Sequence, residues 1–255
     1  MDEFRGKNRG KSEDGTTIYS YNEKDIQKTD TTFPTLIYME EIENHFDKCF
    51  PGAKTEVFHE LLHLPGVPHI DTHFMQGSEI DDRIIVYTTG MSDFPMCLPE
   101  ELKEDRAIYE RAELMMYLPP TWPVNDEAFQ QEANFWPVEL LKSLARFPNR
   151  FSTWLGPGHT VPNIQGSRPY ARSTKQNGAL LLPLADELSI LKAADGTTIN
   201  IYCVIPLYKE EMDYKLKHGI NALIDKFEQS GADMMTINPE RISTCSRSLF
   251  SFLGL

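Results

Sequence analysis

Proline and glycine cut the middle of this chain into pieces of strand length. Pro51-Gly52, Pro65-Gly66-Val67-Pro68 and Pro119-Pro120 are the cuts, and a proline inside an element removes a ladder hydrogen bond. Between them, Val57–Leu64, His69–Met75, Arg83–Thr89 and Arg111–Leu118 are short apolar or alternating runs, which predict strands joined by turns. Further on, Ala179–Pro183 and Thr197–Ile205 predict buried strands, and Phe151–Asn163 a long Gly/Pro loop. Three stretches keep helical spacing instead. Leu36, Ile37, Met39, Ile42, Phe46 and Phe50 recur every three to four places across Thr35–Phe50. Trp136, Leu140, Leu141, Leu144 and Ala145 form one face, with Pro137 in the tolerated first turn. Glu210–Gln229 carries Met212, Leu216, Ile220, Leu223, Ile224 and Phe227 on one stripe and stops at Gly231. Helices interspersed with turn-linked strands predict an α+β (mixed α/β) domain, a mixed, mostly antiparallel sheet flanked by helices, over 35–235. Residues 1–32, polar and without periodicity, are expected to be a flexible N-terminal segment. Residues 236–255 form a tail whose structure the sequence does not specify.

Charge narrows the function. Lys plus Arg number 25 against 38 Asp plus Glu, a net charge of −13. Nucleic-acid binders draw most of their affinity from phosphate neutralisation by a basic surface, so this balance argues against nucleic acid and against a polybasic membrane anchor. It suits a basic protein partner. Cys49, Cys97, Cys203 and Cys245 are scattered with no C-x-x-C pair, which gives no disulfide framework or zinc knuckle. The N-terminus lacks an apolar signal core, and no apolar run approaches the ~20 residues a bilayer requires. A cytoplasmic location is expected.

One string carries chemistry. His59-Glu60-Leu61-Leu62-His63-Leu64-Pro65-Gly66-Val67-Pro68-His69 fits H-E-x-x-H-x-x-G-x-x-H, and Gly90-Met91-Ser92 could serve as the methionine turn of a zinc peptidase. On a helix the first two histidines would share a face and hold zinc, with the glutamate as general base. The surroundings favour another structure. Pro51-Gly52 leaves no room for a preceding helix, and Pro65 and Pro68 push their neighbours out of the helical region. The segment from His69 to Phe74 then alternates. On a strand, His59 and His63 lie ~13 Å apart, too far to share one metal. A β-hairpin with partly buried histidines is expected, with no metal or other cofactor. No G-x-S-x-G, P-loop or dinucleotide fingerprint occurs.

Longer strings give a resemblance. Val86-Tyr87-Thr88-Thr89-Gly90-Met91-Ser92-Asp93-Phe94-Pro95-Met96, Arg111–Pro120, Trp136–Pro148, Asn149–Thr160 and Val204–Met212 occur in an order and spacing that resemble the bacterial type of the suppressor-of-fused domain family, over roughly residues 35–230. The resemblance implies a single lobe of mixed α/β structure without catalytic activity, with the Phe-His-Glu stretch in a hairpin. Eukaryotic members grip a short extended peptide of a transcription factor between two lobes. Some bacterial members resemble immunity proteins that neutralise a toxin made beside them. Both uses are protein binding.

Candidate partner-binding residues are therefore Phe147, Trp154, Gly158 and His159. Phe147 stands where the family carries an aromatic after Leu-Ala-Arg. Gly158-His159 stands where the eukaryotic pattern has an acidic residue before the histidine, so a charge is missing here. Trp154 and His159 lie in the Gly/Pro loop, where an aromatic is presented at low entropic cost. Trp136 sits on the helix stripe and is expected in the core. Met91–Met96 is expected as a turn packed on the sheet, and the acidic residues from Glu100 to Glu110 as solvated surface. The leading reading is a non-enzymatic binding module, an immunity or antitoxin-like protein with a basic toxin as partner. A regulatory scaffold for a cellular protein or peptide is the alternative, and a zinc metallopeptidase the third.

Overall fold

A computed structural model describes residues 4–21, 36–60, 67–163, 168–184 and 186–246. Its centre is an eight-stranded sheet. In chain order the strands are β3 (Lys54–Phe58), β4 (Asp71–Gln76), β5 (Ile84–Thr89), β6 (Ala112–Leu118), β7 (Thr160–Pro162), β8 (Gly178–Pro183), β9 (Ile190–Lys192) and β10 (Thr198–Leu207). They lie side by side as β3-β4-β5-β6-β10-β8-β7, with β9 also on β10. The β6–β10 pair is parallel and the remaining pairs are antiparallel. The expected mixed, mostly antiparallel sheet is what forms, and its one parallel pair, β6–β10, is joined by a long connection that contains α3.

Both faces of the sheet are covered. Along β6, Leu114, Met116 and Leu118 face one core and Met115 and Tyr117 the other. Strand alternation thus feeds two apolar layers, and β6 is buried from end to end. Helix α3 (Glu132–Phe151) fills the first layer with Trp136, Leu140, Leu141 and Leu144. The second layer is filled by α1 (Met39–Cys49) through Ile42 and Phe46 and by α4 (Lys209–Ser230) through Met212, Leu223 and Phe227. Phe46 stacks on Tyr87 of β5 at 3.8 Å between ring centres. A four-residue helix, α2 (Arg106–Tyr109), lies before β6. The N-terminus of α1 is held by Asp93, whose carboxylate accepts the Leu36 and Ile37 N–H groups at 2.5 and 2.9 Å. Trp136 is 1% exposed, a core residue as expected, and Met91 and Met96 are buried in the same layer.

Three local features differ from the sequence reading. The described part of 1–32 contains a hairpin, β1 (Lys7–Lys11) with β2 (Thr17–Ser20), where a flexible segment is expected. The cause is legible: Asp14-Gly15 stands between the strands, Gly15 at φ +84°, and the run Thr17-Ile18-Tyr19-Ser20-Tyr21 is β-branched and aromatic. Next, α4 is not continuous. Gly219 takes φ 83°, ψ 169°, a backbone conformation open to glycine, and the hairpin turn docks at the break. A Cβ on Gly219 would lie 3.0 Å from the Asp14 side chain. Finally, residues 236–246 dock on the domain. Ile237 N–H donates to Tyr117 O at 2.8 Å, and Arg241 forks onto buried Glu211 with two 2.6 Å bonds, a charge-assisted pair that fixes the segment. Residues 247–255 lie outside the described ones.

Candidate protein-binding site

The site is built from the end of α3 outward. Phe147 and Phe151 share the helix face that ends the first core layer, their rings 4.9 Å apart. The helix runs to Phe151, further than the sequence spacing predicts, because Pro148 removes one donor but leaves its carbonyl to accept from Thr153 N–H at 3.0 Å. Ser152 then turns the chain in the left-handed region at φ 47°. The expected Phe151–Asn163 loop is accordingly shorter and tethered. Thr160–Pro162 is the edge strand β7, and Gly158 N–H donates to Leu181 O at 2.7 Å while Leu181 N–H donates to His159 O at 2.9 Å. Gly158 has φ +73°, so the turn into His159 needs a residue without a Cβ.

Trp154 folds back onto this turn. Its ring meets His159 edge-on at 4.4 Å and Tyr109 at 6.2 Å. It is half-buried, and its indole N–H is buried with no hydrogen-bond partner among the described residues. His159 is half-buried beside it, and desolvation, then the nearby Lys215 charge, pushes its pKa down to about 4. It is a neutral imidazole at physiological pH.

Phe147, Trp154 and His159 line one cavity of about 450 Å³. Gly158 does not line it and acts by setting the turn. The opposite wall is the N-terminal hairpin, with Tyr19 and Tyr21 facing in, and Lys215 of α4 closes one end. Tyr21 fixes the hairpin to the domain. Its ring packs edge-on against Phe147 at 5.2 Å, and its hydroxyl lies 2.6 Å from the Thr153 hydroxyl. Burial pushes the Tyr21 phenol up to about 12. Arg5 N–H donates to Ser152 O at 3.0 Å, a second tie. The cavity thus lies between an edge strand of the main sheet and a separate two-stranded sheet. Hairpin residues are absent from the sequence-derived candidates. The Asp14-Gly15 turn was the available signal, but nothing local indicates where a hairpin will dock.

The described residues of the metal-like string, His59, Glu60 and 67–69, make other contacts. His59 and Glu60 follow β3 outside any helix, and His63 lies outside the described residues. His59 Nδ1 is 2.8 Å from one Asp71 oxygen and His69 Nε2 is 3.0 Å from the other. Burial alone would raise the Asp71 pKa, but the Glu60 N–H and His59 outweigh it and hold it below its usual range. Both Glu60 carboxylate oxygens accept from Arg146 Nη2 at 2.5 Å, and Arg146 Nε donates to Pro68 O at 3.2 Å. The glutamate that would activate zinc-bound water is instead an anchor tying the β3–β4 connection to α3. Among the described residues no cluster of three or more metal ligands forms. Along the acidic stretch, Glu100 pairs with Lys103 and Glu110 with Arg106.

A single lobe of mixed sheet between helical layers, with an aromatic cleft at the sheet edge, defines a class of protein-interaction domain. The family model for "suppressor of fused protein (SUFU)" matches residues 66–241, and the chain belongs to that family. Solved structures agree on the fold. A suppressor-of-fused homologue from Neisseria gonorrhoeae aligns with TM-score 0.58 at 18% identity, over 83% of this chain and 98% of that one. A chain of the Sufu–Fu complex aligns with TM-score 0.56 at 14% identity, over 88% of this chain and 96% of that one. Drosophila Suppressor of Fused aligns with TM-score 0.58 at 14% identity, over 88% of this chain but 53% of that one. The chain therefore spans about half the length of the Drosophila protein. No curated protein matches. Among the described residues no helix is long and apolar enough to cross a membrane.

Proposed function

We propose that this chain is a non-enzymatic binding module that holds an extended segment of a protein partner in the cleft between β7 and the N-terminal hairpin. The observation that carries the reading is the cavity itself, in which Phe147, Trp154 and His159 meet Tyr19 and Tyr21. Aromatic side chains in a preformed concavity supply apolar contact at low entropic cost. The two bordering sheets bring strand edges to the same opening, the setting in which an extended segment adds to a sheet. Membership of a family that includes the Sufu–Fu complex supports a protein partner. The net charge of −13 supports a basic one. A cytoplasmic immunity protein that neutralises a basic toxin satisfies all of these points.

The test begins with the partner recovered from the native host and identified by mass spectrometry. Its affinity is then measured for the wild type and for Trp154→Ala combined with His159→Ala. Loss of at least tenfold with unchanged circular dichroism and melting is the expected result. A folded double variant that binds as tightly as wild type places the site elsewhere, with Glu100–Glu110 as the next surface to examine. Should the double variant loosen, because Trp154 also packs on Tyr109, His159→Ala alone decides.

A further inference from the structure

The cleft does not end at the 450 Å³ cavity. A second, polar cavity of about 250 Å³ lies beside it. Pro162 and Asn163, at the end of β7, line both. The floor is common too: Glu132, Trp136, Glu139, Ser143, Phe147 and Phe151 lie along one side of α3, the first four in the second cavity and the last two in the first. Two cavities sharing one helix and one strand end adjoin, and they differ in character. One end is aromatic. The other is rimmed by Glu132 and Glu139 against the single guanidinium of Arg168.

Neither carboxylate forms an ion pair among the described residues. Glu139 is exposed at the rim, but partial desolvation by its neighbours, and then the Glu132 charge, raises its pKa above the usual value, the condition a cation placed there would relieve. The aromatic end has the opposite bias, because Lys215 lines it and would repel a second cation. The second cavity, with two carboxylates against one guanidinium, keeps an excess of negative charge that the aromatic end lacks.

We propose that the groove selects a basic segment with two anchors. An apolar or aromatic side chain fills the cavity at Phe147, and an arginine or lysine reaches Glu139 and Glu132. Phe147 and Glu139 are eight positions apart on α3, about 12 Å at 1.5 Å per residue. An extended chain covers that distance in about four residues, so the two anchors should stand three to five positions apart. This deepens the peptide-binding reading above and rests on it. It also names the source of charge selectivity: two carboxylates at a fixed distance from the anchor, rather than the diffuse charge of the whole chain.

The test is a selection from a displayed library of random twelve-residue peptides on the full-length protein. Wild type should enrich sequences with an aromatic or large aliphatic residue three to five positions from Arg or Lys. Glu132→Gln combined with Glu139→Gln, exposed changes that should leave the fold intact, should keep the apolar preference and lose the basic one. For one selected peptide, that double variant and replacement of the peptide's cation by Gln should each weaken binding roughly fivefold, as expected for a rim ion pair. Combined, the two changes should cost no more than either alone. An enriched apolar position without a spaced cation, or a basic preference that persists on the double variant, overturns the two-anchor proposal and leaves the cleft reading standing. Absence of any enriched sequence, or the same enrichment on Phe147→Ala, overturns both.

Discussion

At the residue scale, Glu113 of β6 is an ionisable group held where water cannot reach it. It is 0% exposed. Its carboxylate accepts from the Ser92 hydroxyl and N–H at 2.6 and 2.9 Å, from Gly90 N–H at 3.1 Å and from the Thr88 hydroxyl at 2.6 Å. Burial raises its pKa to about 7, against the Ser92 and Thr88 hydrogen bonds, which lower it. A carboxyl whose pKa is higher folded than unfolded contributes stability that is complete below its unfolded pKa of 4.5 and is lost as pH rises through about 7. Urea unfolding at pH 5 and pH 8 should show the wild type weaker at pH 8 by roughly 1–3 kcal/mol. Glu113→Gln keeps an acceptor for Ser92 and Gly90 and removes the titration, so much of that difference should vanish. An unchanged pH dependence in the variant would place its cause in other groups.

At the scale of elements, the docking of the hairpin on α4 gives a measurable coupling. Gly219 has a glycine-only conformation and faces the Asp14 turn. Gly219→Ala should cost about 1–3 kcal/mol, part from backbone strain and part from the approach to Asp14. In a chain lacking residues 1–21 the Asp14 part is gone, so the same substitution should cost measurably less. Equal penalties in the two backgrounds would mean that the hairpin turn does not rest on the break. The hairpin matters for function as well as stability. Since Tyr19 and Tyr21 form one wall of the cavity, removal of residues 1–21 should weaken partner binding even where the sheet and its helices remain folded.

At the scale of the molecule, an excess of 38 acids over 25 bases should steer a basic partner, and ionic strength tests this. The association rate should fall by at least several-fold between about 10 and 200 mM salt, as the screening length drops below ~10 Å, while dissociation changes little. A rate indifferent to salt would mean the partner is not basic on its approaching face.

The sheet and its helices were legible in the sequence because their causes are local. Arg83–Thr89 and Arg111–Leu118 read as strands from β-branched and apolar runs, and Trp136–Ala145 as a helix from its spacing. Proline around His59–His69 argued against a zinc helix from sequence alone, since backbone restriction needs no knowledge of neighbours, and residues 61–66 lie outside the described ones. Phe147, Trp154 and His159 were named from family likeness and loop composition, and they meet in one cavity. What tertiary structure alone decided lies in contacts distant along the chain. Arg146 and Glu60 are 86 positions apart, and Tyr21 and Thr153 are 132. No periodicity records such pairings, because they depend on how finished elements pack. The N-terminal hairpin could have been read from Asp14-Gly15, but its place as a wall of the cleft could not. That place follows from the apolar end of α3 and the break at Gly219, surfaces that exist only once the domain has folded.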